Sequence, residues 1–364
     1  MISFASPARE HEASRELLET AVLRVLRSGG YVLGAEVETF ESHLAQFTGA
    51  AFAVGLSSGT DALVCALLAL GIGHGDEVLV PAFGFVAAPE AVLRTGARPV
   101  FVDVEPRTLG PDPDELRACL GPRTRAVIVM HLFGQAVDLA PLQTVTRALP
   151  ILEDAAQAIG TRLHGRHVGT LGKVGTLSFF PAKALGAAGD AGALLTDDAE
   201  LAQRVRRARV HGSPRAYVWD EPGGNYRIDA LQAALLDAKL GVFPARIERR
   251  RQIGLRLARA AASRGACVID GIPACHATFA PFALRVKERD TVLQRLRAAG
   301  VDARVQYPWT LPASRAFAPF AGSHPFPVAD RASRELLSLP CHAELTDDEV
   351  DAIERALLDG LAHG

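Results

Sequence analysis

One lysine lies just beyond an apolar, strand-like run in Ser178-Phe-Phe-Pro-Ala-Lys183. As a solvated turn residue it would stay protonated and do nothing more. Beside a buried ligand its ammonium would lose hydration, its pKa would fall, and the freed amine could form a Schiff base with a carbonyl. Upstream, Pro150-Ile-Leu-Glu-Asp-Ala-Ala-Gln157 ends another apolar run in two carboxylates. Exposed acids at strand ends are common, so structure alone can account for one of them. Asp154 can also reach the nitrogen of an aromatic ring and hold it protonated, and Gln157, three residues on, can hydrogen-bond another ring substituent.

Three further places carry polar or flat side chains at turns. Ser57-Ser-Gly-Thr60 is a small-residue turn between a strand-like run and a helical one. Its free amides and the helix dipole suit a phosphate dianion, while a simple N-cap by a hydroxyl explains the same residues. Phe85, in Ala82-Phe-Gly-Phe85, reads either as core or as a face that stacks on a flat ring. Gly223-Gly-Asn-Tyr-Arg227 reads as a helix start. Two Cys-His dipeptides, Cys275-His276 and Cys341-His342, are poor metal ligands because adjacent side chains rarely chelate one ion tetrahedrally, so no metal is expected.

These residues need a scaffold, and the pattern up to about Asp198 supplies one. Short β-rich runs at Ala51 to Gly55, Glu77 to Val80, Pro99 to Val102, Arg125 to His131, Ile151 to Asp154 and Thr176 to Phe180 alternate with helical stretches. That order predicts an α/β fold, and the nearly continuous apolar runs predict a largely parallel sheet covered on both faces. In such sheets ligands bind beyond the carboxyl ends of the strands, where these polar turns fall. The stretch from Asp154 to Lys183 leaves room for a connection and one more strand, so both side chains can reach one cleft.

Thr60 to Leu70 is the clearest helix, stopped by Gly71, and others are expected at Ala199 to Arg209, at Asp229 to Leu240 and, arginine-rich, from about Phe243. Gly186 to Gly192 reads as a short flexible connector. The division expected is a large domain over 1–245 and a smaller C-terminal α+β domain over 246–364. Within the latter, Thr278 to Val286 reads as a strand and Asp290 to Ala299 as a helix. Thr346 with Glu349 forms a capping box for a last helix.

Composition narrows the partners. The chain has 364 residues, 49% of them hydrophobic, and a formal net charge of -2 with both signs interspersed. Neither nucleic acid nor an anionic membrane surface is indicated, and small-molecule substrates are expected. Met1 to Glu10 lacks the pattern of a signal peptide and no apolar run is long enough to span a bilayer, so the expected location is the cytoplasm. Five cysteines without C-x-x-C spacing point to reduced thiols.

In order along the chain, Gly30-Tyr-Val-Leu-Gly34, Phe40-Glu41, Ser58-Gly-Thr-Asp-Ala-Leu63, Gly75-Asp-Glu-Val78, Pro81, Gly96-Ala-Arg-Pro-Val-Phe-Val-Asp103, His131-Leu-Phe-Gly-Gln135, Glu153-Asp-Ala-Ala-Gln157, Ser178-Phe-Phe-Pro-Ala-Lys183, Asn225-Tyr-Arg227 and Leu337-Ser-Leu-Pro340 resemble the DegT/StrS family of fold-type I pyridoxal-phosphate (PLP) enzymes, mostly nucleotide-sugar aminotransferases. The resemblance implies a mostly parallel seven-stranded sheet. It implies that Lys183 bonds the cofactor as an internal aldimine and later moves protons, that Asp154 pairs with the pyridine nitrogen, that Phe85 stacks on the ring and that Gln157 approaches the ring hydroxyl. Gly59, Thr60 and Ser178 would hold the phosphate. Asn225 would reach the phosphate of a neighbouring subunit in a homodimer with shared sites.

The reaction implied is a two-stage exchange in which an amino acid, L-glutamate in most of the family, gives its nitrogen to the cofactor and a keto sugar, in most members nucleotide-linked, collects it. Two departures bear on the acceptor. Gly84 stands where threonine is common, and Gln306-Tyr307 stands where many members have His-Tyr, which leaves room for a keto-cyclitol instead. Among rival readings, a PLP-dependent sugar dehydratase would carry histidine in place of Lys183. A non-catalytic PLP-binding regulator would not need the set Lys183, Asp154 and Gln157. A nucleotide-binding oxidoreductase would want a G-x-G-x-x-G turn that Ser57 to Asp61 does not supply.

Overall fold

The computed structural model describes residues 1–215, 217–269 and 272–362. Its centre is a seven-stranded sheet built from β1 (Phe52–Leu56), β2 (Glu77–Pro81), β3 (Arg98–Val102), β4 (Thr124–Met130), β5 (Ile151–Asp154), β6 (Val174–Ser178) and β7 (Gly192–Thr196). The order across the sheet is β1-β7-β6-β5-β4-β2-β3, and only β7 runs against the rest. The carboxyl ends of β1, β2, β4, β5 and β6 therefore share one edge.

Alternation along each strand sends side chains to two different cores. On β4, Ala126, Ile128 and Met130 join one cluster while Val127 and Val129 join another. On β5, Leu152 faces the first cluster and Ile151 the second. Asp154 thus lies on the Leu152 face and Glu153 on the opposite one. This two-sided burial is why the strands read as continuous apolar runs.

The first cluster is closed by α1 (Gly59–Ala69), a helix with Ala62 to Leu67 all buried. The second long helix, α2, runs unbroken from Ala230 to Ser263 and joins the two segments expected at Asp229 to Leu240 and beyond Phe243. Its later residues Ile253 and Leu257 pack with a three-stranded C-terminal sheet and the helix Asp347–Leu361. The capping box of Thr346 and Glu349 is present.

Two expectations need correcting. Gly186 to Gly192 is packed, with Ala187 and Ala191 buried and Gly192 opening β7. Only glycine fits at 192, since a Cβ there would lie 2.3 Å from the Ser58 carbonyl carbon. Gly223 to Arg227 is not a helix start. Asn225 bridges Val210 and Arg227 bridges Leu56 in extended pairing, and α2 begins at Ala230 with Asp229 as its N-cap. The glycines serve close backbone approach: a Cβ on Gly223 would meet Gly212 N at 2.3 Å. No helix among the described residues is long and apolar enough to cross a membrane.

Candidate active site

A cavity of about 550 Å³ opens at the shared strand edge, lined among others by Gly59, Thr60, Phe85, Asp154, Gln157, Ser178 and Lys183. Seven of the eight residues singled out from the sequence therefore meet in one place. The eighth, Asn225, does not line it.

The capping reading of the Ser57 turn holds, and it leaves room for an anion beside it. Ser58 Oγ accepts from the Asp61 amide at 3.0 Å and caps α1. The amides of Gly59 and Thr60, in the first turn, have no intrahelical acceptor and face the cavity end of the helix, where the dipole favours an anion. Gly59 has no room for a side chain: a Cβ would sit 2.8 Å from Ser178 Cβ. That contact brings the end of β6 against the start of α1, so Ser178 and the free amides border the same space.

Asp154 is buried at the end of β5 and accepts from the Ala156 amide at 3.0 Å. Burial pushes its carboxyl above the usual range, against the Ala156 bond and the nearby Lys183 charge. Lys183 lies in the turn after β6, partly exposed to the cavity, and burial lowers its ammonium pKa against the pull of Asp154. Both groups are thus shifted toward their neutral forms, as a desolvated Schiff-base lysine requires.

The adjacent Glu153 has a different task. Fully buried on the opposite face, it accepts amides from Gly169 at 2.7 Å, Leu171 at 2.7 Å and Gly172 at 2.6 Å. Burial raises its carboxyl, but the His131 bond and these amides outweigh that and hold it below the usual range. It pins the loop before β6, and of the two strand-end acids it is the structural one.

Gln157 Oε1 accepts from Phe133 N at 2.7 Å, which orients the amide so that Nε2 donates to Tyr307 Oη at 2.8 Å. The second N–H of Nε2 stays available for a ligand. Phe85 is 48% exposed, so the core reading fails for it, and its ring centroid lies 6.0 Å from that of Tyr307. Gly84 before it has φ +148°, and a Cβ there would meet Met130 Cε at 2.4 Å. A threonine would be strained by this φ and would displace the end of the Met130 side chain.

A match to the model of the DegT/DnrJ/EryC1/StrS aminotransferase family covers residues 12–358. The chain belongs to this family. It is an aminotransferase. It is 37% identical over 363 residues to UDP-2-acetamido-2-deoxy-3-oxo-D-glucuronate aminotransferase of Pseudomonas aeruginosa, covering 98% of this chain and 99% of that protein. Its fold matches the crystal structure of DesV of S. venezuelae in complex with a ketimine intermediate, with a TM-score of 0.96 at 36% identity, covering 99% of this chain and 98% of that one. It also matches NtdA of Bacillus subtilis with bound cofactor PMP, with a TM-score of 0.91 at 27% identity, covering 99% of this chain and 85% of that one.

Several lining residues carried no assigned role in the sequence. His131 occurs there only as part of a motif, and Tyr307 only as a loop residue near the acceptor. Arg250 and the segment Phe4 to Pro7 were not singled out, yet all of them border the cavity. For Arg250 a signal existed: it falls in the buried stripe Phe243, Ile247, Arg250, Ile253, Leu257 of α2, where helical periodicity calls for an apolar residue.

Proposed function

We propose that this chain is a PLP-dependent aminotransferase that moves an amino group from an amino acid, L-glutamate first among candidates, to a nucleotide-linked keto sugar. The observation that carries it is the meeting of Lys183, Asp154 and the α1 start at one cavity. The donor set fits PLP group by group. A desolvated amine suits the aldehyde, a buried carboxylate suits the pyridine nitrogen, and unsatisfied helix amides beside Ser178 suit the phosphate. When bound, PLP supplies the electron sink that stabilises negative charge on the amine-bearing carbon.

The protein's residues do the rest. With PLP bound, Lys183 would be the residue placed to take and return a proton at that carbon, desolvation favouring its neutral amine. Asp154 would pair with the ring nitrogen and keep it protonated, a positive charge that would favour its buried carboxylate. Phe85 would cover the ring and the second N–H of Gln157 would meet the ring hydroxyl. The similarity to a relative that acts on a UDP-linked 3-oxo sugar supports a nucleotide-sugar acceptor.

We also propose a homodimer with shared sites, in which Asn225 serves the neighbour. Its place outside the cavity of its own chain supports this, as do exposed apolar residues such as Tyr31, Val32 and Phe180. A division into domains at 245/246, which falls inside α2, and a cytoplasmic location complete the reading.

The test is reduction of the PLP-loaded protein with borohydride, followed by peptide mapping. Lys183 should carry the label, and an unlabelled Lys183 would sink the assignment. Incubation with glutamate and a panel of nucleotide-linked keto sugars and keto-cyclitols then identifies the acceptor.

A further inference from the structure

Away from Lys183, the cavity wall is built from α2, the N-terminal segment and the turn after the last C-terminal strand, and it is rich in charge. Most of that charge is matched. Arg246 pairs with Glu10 at 3.3 Å and with Glu344, which also takes His342 Nδ1 at 3.2 Å. Arg304 pairs with Asp302 at 2.7 Å and lies over the Phe4 ring at 4.6 Å. Arg250 is different. Only 9% exposed, it has no carboxylate within 4.0 Å among the described residues, and its buried Nε has no hydrogen-bond partner. Among the described residues its side chain makes one hydrogen bond, from Nη2 to the Phe279 carbonyl at 3.3 Å.

A buried guanidinium without a counter-ion is costly, and a core helical position normally avoids it. An apolar residue there would pack without that cost, so a charge kept at the cavity wall calls for an anion that comes and goes. An α-amino acid that gives up its nitrogen brings a carboxylate on the carbon bearing the amine, and glutamate brings a second. Arginine's rigid fork matches a carboxylate better than any other side chain.

We propose that Arg250 is the anchor of a carboxylate subsite that receives the amino-acid donor in the cavity shared with Lys183. The assignment of the carboxylate to the donor rests on the function proposed above. The subsite itself rests on a buried guanidinium at the cavity wall that makes no direct ion pair among the described residues.

Glutarate, a dicarboxylate without an amine, is the probe for the subsite, titrated into PLP-loaded protein by calorimetry. Arg250→Gln should weaken glutarate binding about 10-fold or more, the loss expected for charge-assisted hydrogen bonds. In single-turnover absorbance experiments the half-saturating glutamate concentration should rise by a similar factor, while the limiting rate changes by less than about threefold, the signature of lost binding. Half-saturation by the keto-sugar acceptor should not move, and a shift confined to the acceptor would overturn the donor assignment.

Glutarate binding within about twofold of the parent in a variant with unchanged Tm would overturn the subsite. If Arg250→Gln does not fold, Arg250→Lys is read instead. It keeps the charge but loses the fork, so weakened binding is expected and unchanged binding overturns the proposal. A parent that binds glutarate through Arg250 but whose cofactor glutamate never converts would sink the function and leave the subsite standing.

Discussion

His131 Nε2 lies 2.8 Å from Glu153 Oε2, and both side chains are fully shielded from solvent. The Val137 amide donates to His131 Nδ1 at 3.1 Å, so the ring proton must sit on Nε2 and point at Glu153. A carboxylate at the end of β5 therefore fixes the tautomer of a cavity-lining imidazole and the loop of residues 169–172 at once. Its neighbour Asp154, on the other face of the strand, lines the cavity.

Glu153→Gln should cost about 2–4 kcal/mol, because an amide cannot accept from three backbone amides and His131 together. The sign of its pH dependence follows from the lowered carboxyl. The carboxylate's contribution is complete above the unfolded carboxyl pKa and is lost as pH falls through the folded one. Urea unfolding of parent and variant should accordingly converge in the acid range and differ most near neutrality.

Asp154→Asn should separate stability from activity. The folded Asp154 carboxyl has a raised pKa, so its ionised form destabilises the cofactor-free fold at neutral pH. The variant's apoprotein should melt at a higher temperature than the parent's, and PLP should stabilise it less. Conversion of the cofactor by glutamate should slow about 100-fold or more, comparable with removing one preorganised charge-stabilising contact. An apoprotein variant melting below the parent would contradict this reading.

His167 reports on acid sensitivity away from the cavity. It accepts from the Gly160 amide at 2.7 Å and bonds the Val168 carbonyl, and burial pushes its pKa from 6.5 down to about 4. Its contribution to stability is present above 6.5 and is lost between 6.5 and 4, as the unfolded chain takes up the proton first. Relative to His167→Gln, the parent should lose roughly 3 kcal/mol over that window, from the size of the pKa difference. Parallel stability profiles for the two proteins would exclude the effect.

Gly84→Ala should destabilise by about 1–3 kcal/mol, through both the positive φ and the contact with Met130. Met130→Ala in the same chain should recover the steric part and leave the backbone part. Additive losses in the double-mutant cycle would rule out the contact as the cause.

Much of the site was legible in the sequence because the relevant information is local. Ser58, Gly59 and Thr60 are adjacent, and the helix cap and the amides it leaves at the cavity follow from one strand-to-helix turn. Asp154 and Lys183 were recognisable as strand-end residues of neighbouring strands in one sheet. The glycines were harder: Gly192 and Gly223 looked like flexibility or a helix start, whereas each is a place where two backbones touch.

The sequence by itself determined the alternation of strands and helices, the helix caps and the cluster of polar turns, since hydrophobic period and turn chemistry are set within a few residues. Only the tertiary structure decided that Gln157 would meet Tyr307, 150 residues away, that Asn225 would stay out of its own chain's cavity, and that Arg250 would be buried at its wall with no ion pair among the described residues. Those outcomes depend on how distant segments close on one another. Burial and charge pairing belong to the packed assembly of elements, and no stretch of the chain carries them alone.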